Sequence, residues 1–346
     1  MKVAIATVQV PFIRGGAEIL AESLRGELVA RGIDAEIVSI PFKWYPPTRI
    51  LDHMLMARMV DLSEVNGMPI DRVVTLKFPA YHVEHRSKVA WVLHQHRQAY
   101  DLFETPFGDL HHDAEGRMVA GEIQRWDERL LPAHDAIYTI ARKVTDRLRH
   151  YNGIESEVLY HPPANAERFR CGSFEPYVLA PGRFDQIKRQ HLIIDAFEHL
   201  PPSVKLVLIG STDSAYGHQM VETAKRIGGD RVVVRGVVTE AEKIDLFANC
   251  LAVYNGVYDE DYGYVTLEAF LAGKAVITHP DSGGPLEFVQ HGENGLIIPP
   301  DPLAIADAIR TLAREPRRAR ALGAAGRHTI DALAINWDIV IERLLA

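Results

Sequence analysis

The sequence predicts two doubly wound α/β domains in tandem, and three observations predict it. Short apolar runs alternate with amphipathic segments along the whole chain, the pattern of parallel sheets covered by helices. The apolar runs carry no polar alternation, as strands buried on both faces require. The segment His161-Pro162-Pro163-Ala164-Asn165 interrupts the series, since two prolines and an asparagine break any regular element, and a second series follows. A length of 346 residues holds two domains of ordinary size, and a hydrophobic fraction of 47% lets each bury a core.

In the first half the strands are expected at 3–7, 35–40, 72–76, 89–93, 136–140 and 157–160. Helices fall between them at 17–31, 49–64, 121–131 and 142–151. In the second half the strands are expected at 177–180, 204–209, 231–234, 251–254, 275–278 and 296–298, with helices at 189–200, 219–227, 240–248 and 266–272. After Pro302 the pattern is helical to the end. The expected domains are therefore 1–165 and 166–330, followed by a terminal helical segment, 331–346.

Composition excludes several classes. The net charge of −8 is modest and spread over both halves, without the basic face of a nucleic-acid binder. Cys171 and Cys250 are the only cysteines and lie far apart, so reduced, inert thiols of a cytoplasmic protein are expected, not a disulfide framework. The N-terminal apolar run is short and is broken by Pro11, Arg14 and Glu18, which suits a buried strand better than a signal peptide. No apolar stretch approaches the roughly 20 residues of a membrane-spanning helix.

In doubly wound domains ligands bind beyond the carboxyl ends of the strands, where strand order reverses. Four clusters of the second half fall at such ends. Arg183 and Lys188 flank a strand-to-helix turn, where a forked guanidinium, a point charge and a helix N-terminus together suit a diphosphate; a solvated basic turn is the alternative. In Asp259-Glu260-Asp261-Tyr262-Gly263-Tyr264-Val265-Thr266-Leu267-Glu268, Gly263 opens a helix whose first N–H groups, through Tyr264 and Val265, face an anion. Carboxylates there suit sugar or ribose hydroxyls. Complementing the helix dipole explains Asp259 and Asp261 but not Glu268. Asp281-Ser282-Gly283-Gly284 is a Gly-rich turn, and Gly236-Val237-Val238 follows a strand where backbone groups can read a base edge. Each turn alone is common in α/β proteins.

Taken in order, these clusters resemble glycosyltransferase family 4, the retaining enzymes of GT-B fold. The matching residues are Gly182-Arg183, Lys188, Leu192-Ile193, Gly236-Val237, Glu260, Gly263, Glu268-Ala269, Ala272-Gly273-Lys274-Ala275, Gly283-Gly284, Glu287, Gly292 and Asn294-Gly295-Leu296. The resemblance implies two Rossmann-like domains facing across a cleft, with the last helix packed back on the first domain. It implies that Arg183 and Lys188 bind the donor diphosphate, that Glu268 holds the ribose and that Glu260 contacts the transferred sugar. Gly15-Gly16 looks like the family's glycine loop, which approaches the donor phosphates. One of His94 and His96 is implied to line the acceptor side, and the stretch Lys77-Phe78-Pro79-Ala80-Tyr81 is a further candidate for acceptor contacts. The chain departs from the family at Asp261, Tyr262 and Asn255-Gly256-Val257, which bears on the identity of the sugar.

The resulting expectation is transfer of a hexose from a nucleotide diphosphate sugar to a hydroxyl of a sugar or lipid-linked acceptor, with retention, without a metal and without a cofactor, in polysaccharide, lipopolysaccharide or glycolipid assembly. The His94-x-His96 pair lacks a third ligand at zinc spacing. A GT-B nucleotide-sugar epimerase and a non-catalytic nucleotide-sugar-binding subunit are the rival readings. A dinucleotide oxidoreductase is disfavoured, since neither half opens with Gly-x-Gly-x-x-Gly. Arg142, Lys143, Arg147, Arg149 and His150 share one helix, read as a solvated face, with peripheral contact to the inner face of a membrane as the alternative.

Overall fold

The computed structural model describes residues 1–346. The chain divides into two units, one of Met1–Ala164 with Asn336–Ala346, the other of Asn165–Ile335.

The first unit is built on β1 (Lys2–Gln9), α1 (Gly16–Ala30), β2 (Asp34–Pro41), α2 (Arg49–Met59), the hairpin β3 (Glu64–Val65) and β4 (Met68–Pro69), β5 (Arg72–Thr75), β6 (Lys88–Val92), α3 (Ala114–Leu130), β7 (Ala136–Thr139), α4 (Arg142–Asn152) and β8 (Glu157–Val158). Its sheet runs β2-β1-β5-β6-β7-β8, all parallel, so strand order reverses between β1 and β5. The central strands are buried along their length, as strands covered on both faces must be. The C-terminal helix Trp337–Leu345 belongs to this unit. It buries Val340, Ile341 and Leu344, and its Trp337 meets Trp91 edge-on with ring centroids 6.3 Å apart.

Two helices differ most from the expectation. The helix expected over 49–64 stops at Met59, because Val60 is extended and Asn66 and Gly67, both at positive φ, turn the chain into the β3–β4 hairpin. Asn-Gly is the turn that such a hairpin favours. The helix expected from 121 begins instead at Ala114, where the Asp113 carboxylate accepts the Gly116 N–H at 2.7 Å and caps the free end.

The second unit comprises β9 (Tyr177–Pro181), α5 (Gln190–Ala196), β10 (Lys205–Ile209), α6 (Ala215–Gly228), β11 (Val232–Val234), α7 (Glu240–Asn249), β12 (Ala252–Tyr254), α8 (Tyr264–Leu271), β13 (Ala275–Thr278), β14 (Gly295–Ile297), α9 (Pro302–Arg314) and α10 (Pro316–Ala332). All six strands are parallel in the order β11-β10-β9-β12-β13-β14, a doubly wound sheet whose order reverses between β9 and β12. Ile193, Ile194, Leu206, Leu208, Ile305 and Ile309 pack its core. No helix of the chain is long and apolar enough to cross a membrane.

Candidate active site

The carboxyl ends of β9 and β12 mark the switch point of the second unit. A small pocket opens there, lined by Pro181, Lys188, Gln190, Tyr254 and Gly256. Beyond β9 the chain makes one 3-10 turn, Gln186–Lys188, with the Asp185 carboxylate accepting the Ile187 N–H at 3.2 Å. This turn carries Lys188 into the pocket, and its ammonium pairs with the Glu260 carboxylate, both side chains 27% exposed. Arg183 stands at the same strand end, well exposed and 3.5 Å from Asp185. Of the sequence-predicted residues, Lys188 and Glu260 thus pair directly, while Arg183 stands on the loop that carries Lys188.

Glu260 reaches that position because two glycines allow its loop to approach the next one. Glu260 forms a parallel bridge with Gly283, its N–H donates to Ser282 O at 3.0 Å, and Gly284 N–H donates to Glu260 O at 2.7 Å. A Cβ on Gly283 would lie 2.5 Å from Glu260 O, and one on Gly284 would lie 2.6 Å from Asp261 O. Gly283 also has a φ of 69°, in the left-handed region where glycine is unstrained. Gly263, left-handed too, caps α8, and the first bond of that helix runs from Thr266 N–H to Gly263 O at 2.9 Å. The N–H groups of Tyr264 and Val265 thus precede the helical ladder.

Glu268 lies one turn further along α8. Its side chain is only 12% exposed and accepts from Lys243 Nζ at 2.9 Å. Burial raises its pKa, and the Lys243 ammonium opposes that shift. Val237 is exposed and Val238 half-buried in the loop between β11 and α7, beside the helix that supplies Lys243.

Two functional neighbours were not expected from sequence. Arg189 follows Lys188 with a φ of 52°, and its side chain is 10% exposed. Its guanidinium donates to Gly256 O at 2.7 Å and to Val257 O at 2.9 Å, and forks onto Asp281 at 2.7 and 2.8 Å. Arg189 thus ties together the three loops that carry Lys188, Glu260 and Gly283. Burial alone would raise the Asp281 carboxyl, but Arg189 outweighs it and holds the group below its ordinary value. The second neighbour is Lys243, which signals in the sequence only as a helix lysine three residues after Glu240.

In the first unit the switch point lies between β1 and β5. Glu18 and Lys77 pair across it at 3.4 Å. Glu18 also accepts the Gly15 N–H at 2.8 Å, so this amide of the Gly15-Gly16 loop serves the start of α1. Gly15 has an ordinary extended φ of −139°. After β6, His94 is half-buried, with Nδ1 2.6 Å from Gln95 O. His96 sits between Phe42 and Phe78, with ring centroids 6.1 and 5.2 Å away and a buried Nε2 that has no hydrogen-bond partner. Burial, with a smaller contribution from His94, depresses its pKa to about 3, so the ring is neutral.

Two expectations are corrected. Within the stretch 77–81, Tyr81 is fully buried and donates to Asp127 at 2.9 Å, and Phe78 and Ala80 are buried core; only Lys77 retains a polar group at the switch point. Asp127 also accepts from Tyr100 at 2.8 Å and lies 2.9 Å from His82 Nε2, a satisfied polar knot that holds the interior together. On α4 the five basic residues do not form one outward face: Arg147 is 2% exposed with its Nε 3.1 Å from Asp101, while Arg149 pairs with Glu155 at 2.8 Å. No group of three or more His, Cys, Asp or Glu side chains is arranged to hold a metal ion. Cys171 and Cys250 are unbridged, and burial pushes the Cys250 thiol up to about 12.

The family Glycosyl transferases group 1 matches residues 166–329, the whole of the second sheet. The GDP-mannose-dependent alpha-(1-6)-phosphatidylinositol monomannoside mannosyltransferase of Mycobacterium tuberculosis is 32% identical over 202 residues, covering 53% of this chain and 50% of that protein. The chain spans about half the length of the curated relatives it matches. In fold it is similar to the sucrose-phosphate synthase of Thermosynechococcus elongatus, with a TM-score of 0.80 at 19% identity over 98% of this chain and 96% of that one. It is also similar to Anabaena HepE in complex with UDP-glucose, with a TM-score of 0.72 at 17% identity over 100% of this chain and 98% of that one. Residues 166–329 thus match the model of glycosyl transferases group 1, and the two doubly wound units, with the last helix returned to the first, give the chain the GT-B fold.

Proposed function

We propose that the protein is a retaining glycosyltransferase that moves a hexose from a nucleotide diphosphate sugar to a hydroxyl of a sugar or lipid-linked acceptor, in polysaccharide, lipopolysaccharide or glycolipid assembly. The observation that carries this reading is the pairing of Lys188 with Glu260 at the switch point between β9 and β12, with Arg183 on the loop that carries Lys188 and Glu268 held on the adjoining helix. The relative from M. tuberculosis is named for GDP-mannose and the Anabaena structure contains UDP-glucose, which supports a nucleoside diphosphate hexose as donor.

In this reading the diphosphate competes with Glu260 for the Lys188 ammonium and takes the exposed Arg183 fork as a second partner. Glu260, released from Lys188, accepts from hydroxyls of the transferred hexose, and Glu268 accepts from the ribose. The C1–O bond breaks with its electron pair passing to the diphosphate oxygen, where Lys188, Arg183 and the N–H groups at the start of α8 stabilise the growing charge. Neither a metal nor a cofactor is required for that stabilisation. The acceptor oxygen bonds C1 on the face the leaving group vacates, and its proton passes to the departing diphosphate. No carboxylate is assigned as a nucleophile, in contrast to retaining glycosidases. The first unit, with Lys77 and His94 at strand ends, takes the acceptor role; His96, half-buried and neutral, supports it by packing.

Incubation with UDP-, GDP-, ADP- and dTDP-hexoses, with and without glycolipid acceptors, tests the proposal. Retained anomeric configuration in an acceptor-dependent product supports it. Conversion of the donor sugar with no acceptor present favours an epimerase, and donor binding without turnover favours a non-catalytic subunit; either outcome rejects the transferase assignment.

A further inference from the structure

Lys243 occupies an unusual position for a helix lysine. It lies on the first turn of α7, with its side chain 23% exposed above the Phe169 ring, 5.7 Å from the centroid. Its ammonium reaches two carboxylates: Glu240 on its own helix at 3.0 Å, and Glu268 on α8 at 2.9 Å. Glu240 is 38% exposed as a side chain, although the Oε1 that meets Lys243 is itself buried, whereas Glu268 is only 12% exposed. The two partners therefore need Lys243 unequally. A buried carboxylate that loses its counter-ion takes up a proton instead of remaining charged.

We propose that Lys243 is a positioning residue for donor binding: its ammonium keeps Glu268 ionised and fixed, so that both oxygens act as acceptors for the ribose hydroxyls of the donor nucleotide. The proposal rests on the donor-site reading above and adds to it a residue that acts through Glu268. An ionised carboxylate offers acceptor sites only; a protonated one spends an oxygen on its own O–H. The groups acting on Glu268 from the elements around it are Lys243 and Glu240 on α7 and Tyr264 on α8. Burial and Glu240 push the Glu268 carboxyl up, and Lys243 is the only one of these groups that pulls it down. Lys243 itself, although burial works against its charge, is held protonated by Glu268 and Glu240. Removing Lys243 therefore moves the Glu268 titration toward neutral pH.

The first test needs no nucleotide. The Glu268 carboxyl carbon is followed by NMR across pH in the wild type, K243M and K243R. The midpoint is expected to rise by about one pH unit or more in K243M and to stay near wild type in K243R. K243Q serves in place of K243M if the latter fails to fold. The second test is calorimetry with UDP, GDP and ADP across the same pH range. With the nucleotide that binds wild type best, K243M is expected to bind about 10-fold more weakly at neutral pH, the equivalent of one pKa unit. That deficit shrinks as pH rises and disappears on the E268Q background. An unchanged midpoint in K243M overturns the proposal, as does an affinity loss that is constant across pH and persists with E268Q. A shifted midpoint in K243M together with a wild-type chain that binds none of the three nucleotides overturns the donor-site reading, and the ribose role of Lys243 with it.

Discussion

Lys188, Glu260 and Glu268 are charged side chains held partly out of water, each with a partner of opposite sign. Such groups act strongly on a ligand that displaces or joins the pair, because the surroundings screen them little. Lys188→Ala and Glu268→Ala are each expected to lower the transfer rate by at least ~10²-fold, the scale of a lost charged contact to the transition state. Near-normal turnover in both variants would remove them from the mechanism. Arg189 is a different kind of residue, since four of its five N–H groups are spent on Asp281 and two carbonyls. Removing the guanidinium leaves two buried carbonyls and a partly exposed carboxylate without these donors, a loss of about 1–3 kcal/mol. Arg189→Gly suits the backbone φ of 52° yet loses the guanidinium, so urea unfolding is expected to show a net loss of stability; wild-type stability would mean that the clamp contributes nothing. The charged residues at strand ends were legible in the sequence because their type and order are unusual there. Arg189 and Lys243 were not, because a buried, fork-bonded arginine and a solvated one read identically until the loops they join are known.

The loops of the second unit are shaped by glycines that serve different ends. Gly284→Ala places a methyl 2.6 Å from Asp261 O, so the loop carrying Glu260 must move. The variant is expected to lose about 1–3 kcal/mol, the usual cost of overpacking, and to lower activity through Glu260. Gly26, in the middle of α1 with nothing within 4 Å of an added Cβ, gives the opposite expectation: Gly26→Ala gains about 0.5–1 kcal/mol. Thermal unfolding of the two variants side by side checks both signs, and a stabilising Gly284→Ala would mean that the loops are not in the close contact described. Periodicity located the buried strands well, since a run such as Ala275–Thr278 has no other interpretation in this context. Element ends were harder to read. Asn66-Gly67 ends a helical pattern by turning a hairpin, and Asp113 starts a helix well before its apolar stripe becomes regular. In both cases one local hydrogen-bonding choice overrides the periodic signal.

At the scale of the molecule, the doubly wound pattern was legible throughout because each strand–helix alternation repeats the same burial demand. The return of the last helix to the first unit came only from the family resemblance, since the contacts that hold it, such as Trp337 on Trp91, link residues far apart in sequence. The first unit also carries a pH liability. His134 and His161 are buried and His96 is half-buried with its Nε2 out of water, and this burial depresses each to about 3, below the ordinary value of 6.5. Unfolding lets them protonate, so the stability they confer is complete above about pH 6.5 and is lost as pH falls from there toward 3, at roughly 1.4 kcal/mol per pH unit for each ring. His96→Phe, which fits between Phe42 and Phe78, is expected to flatten the acid limb of the stability profile; an unaltered limb would assign the acid sensitivity to other groups. The central claim is that the switch point of the second unit binds a nucleotide diphosphate sugar. Calorimetric titration with UDP-, GDP-, ADP- and dTDP-sugars tests it most directly. The account predicts that one of these donors binds and that Lys188→Ala and Glu268→Ala each weaken that binding severely; no binding by any of them, or equal binding by the two variants, would contradict it.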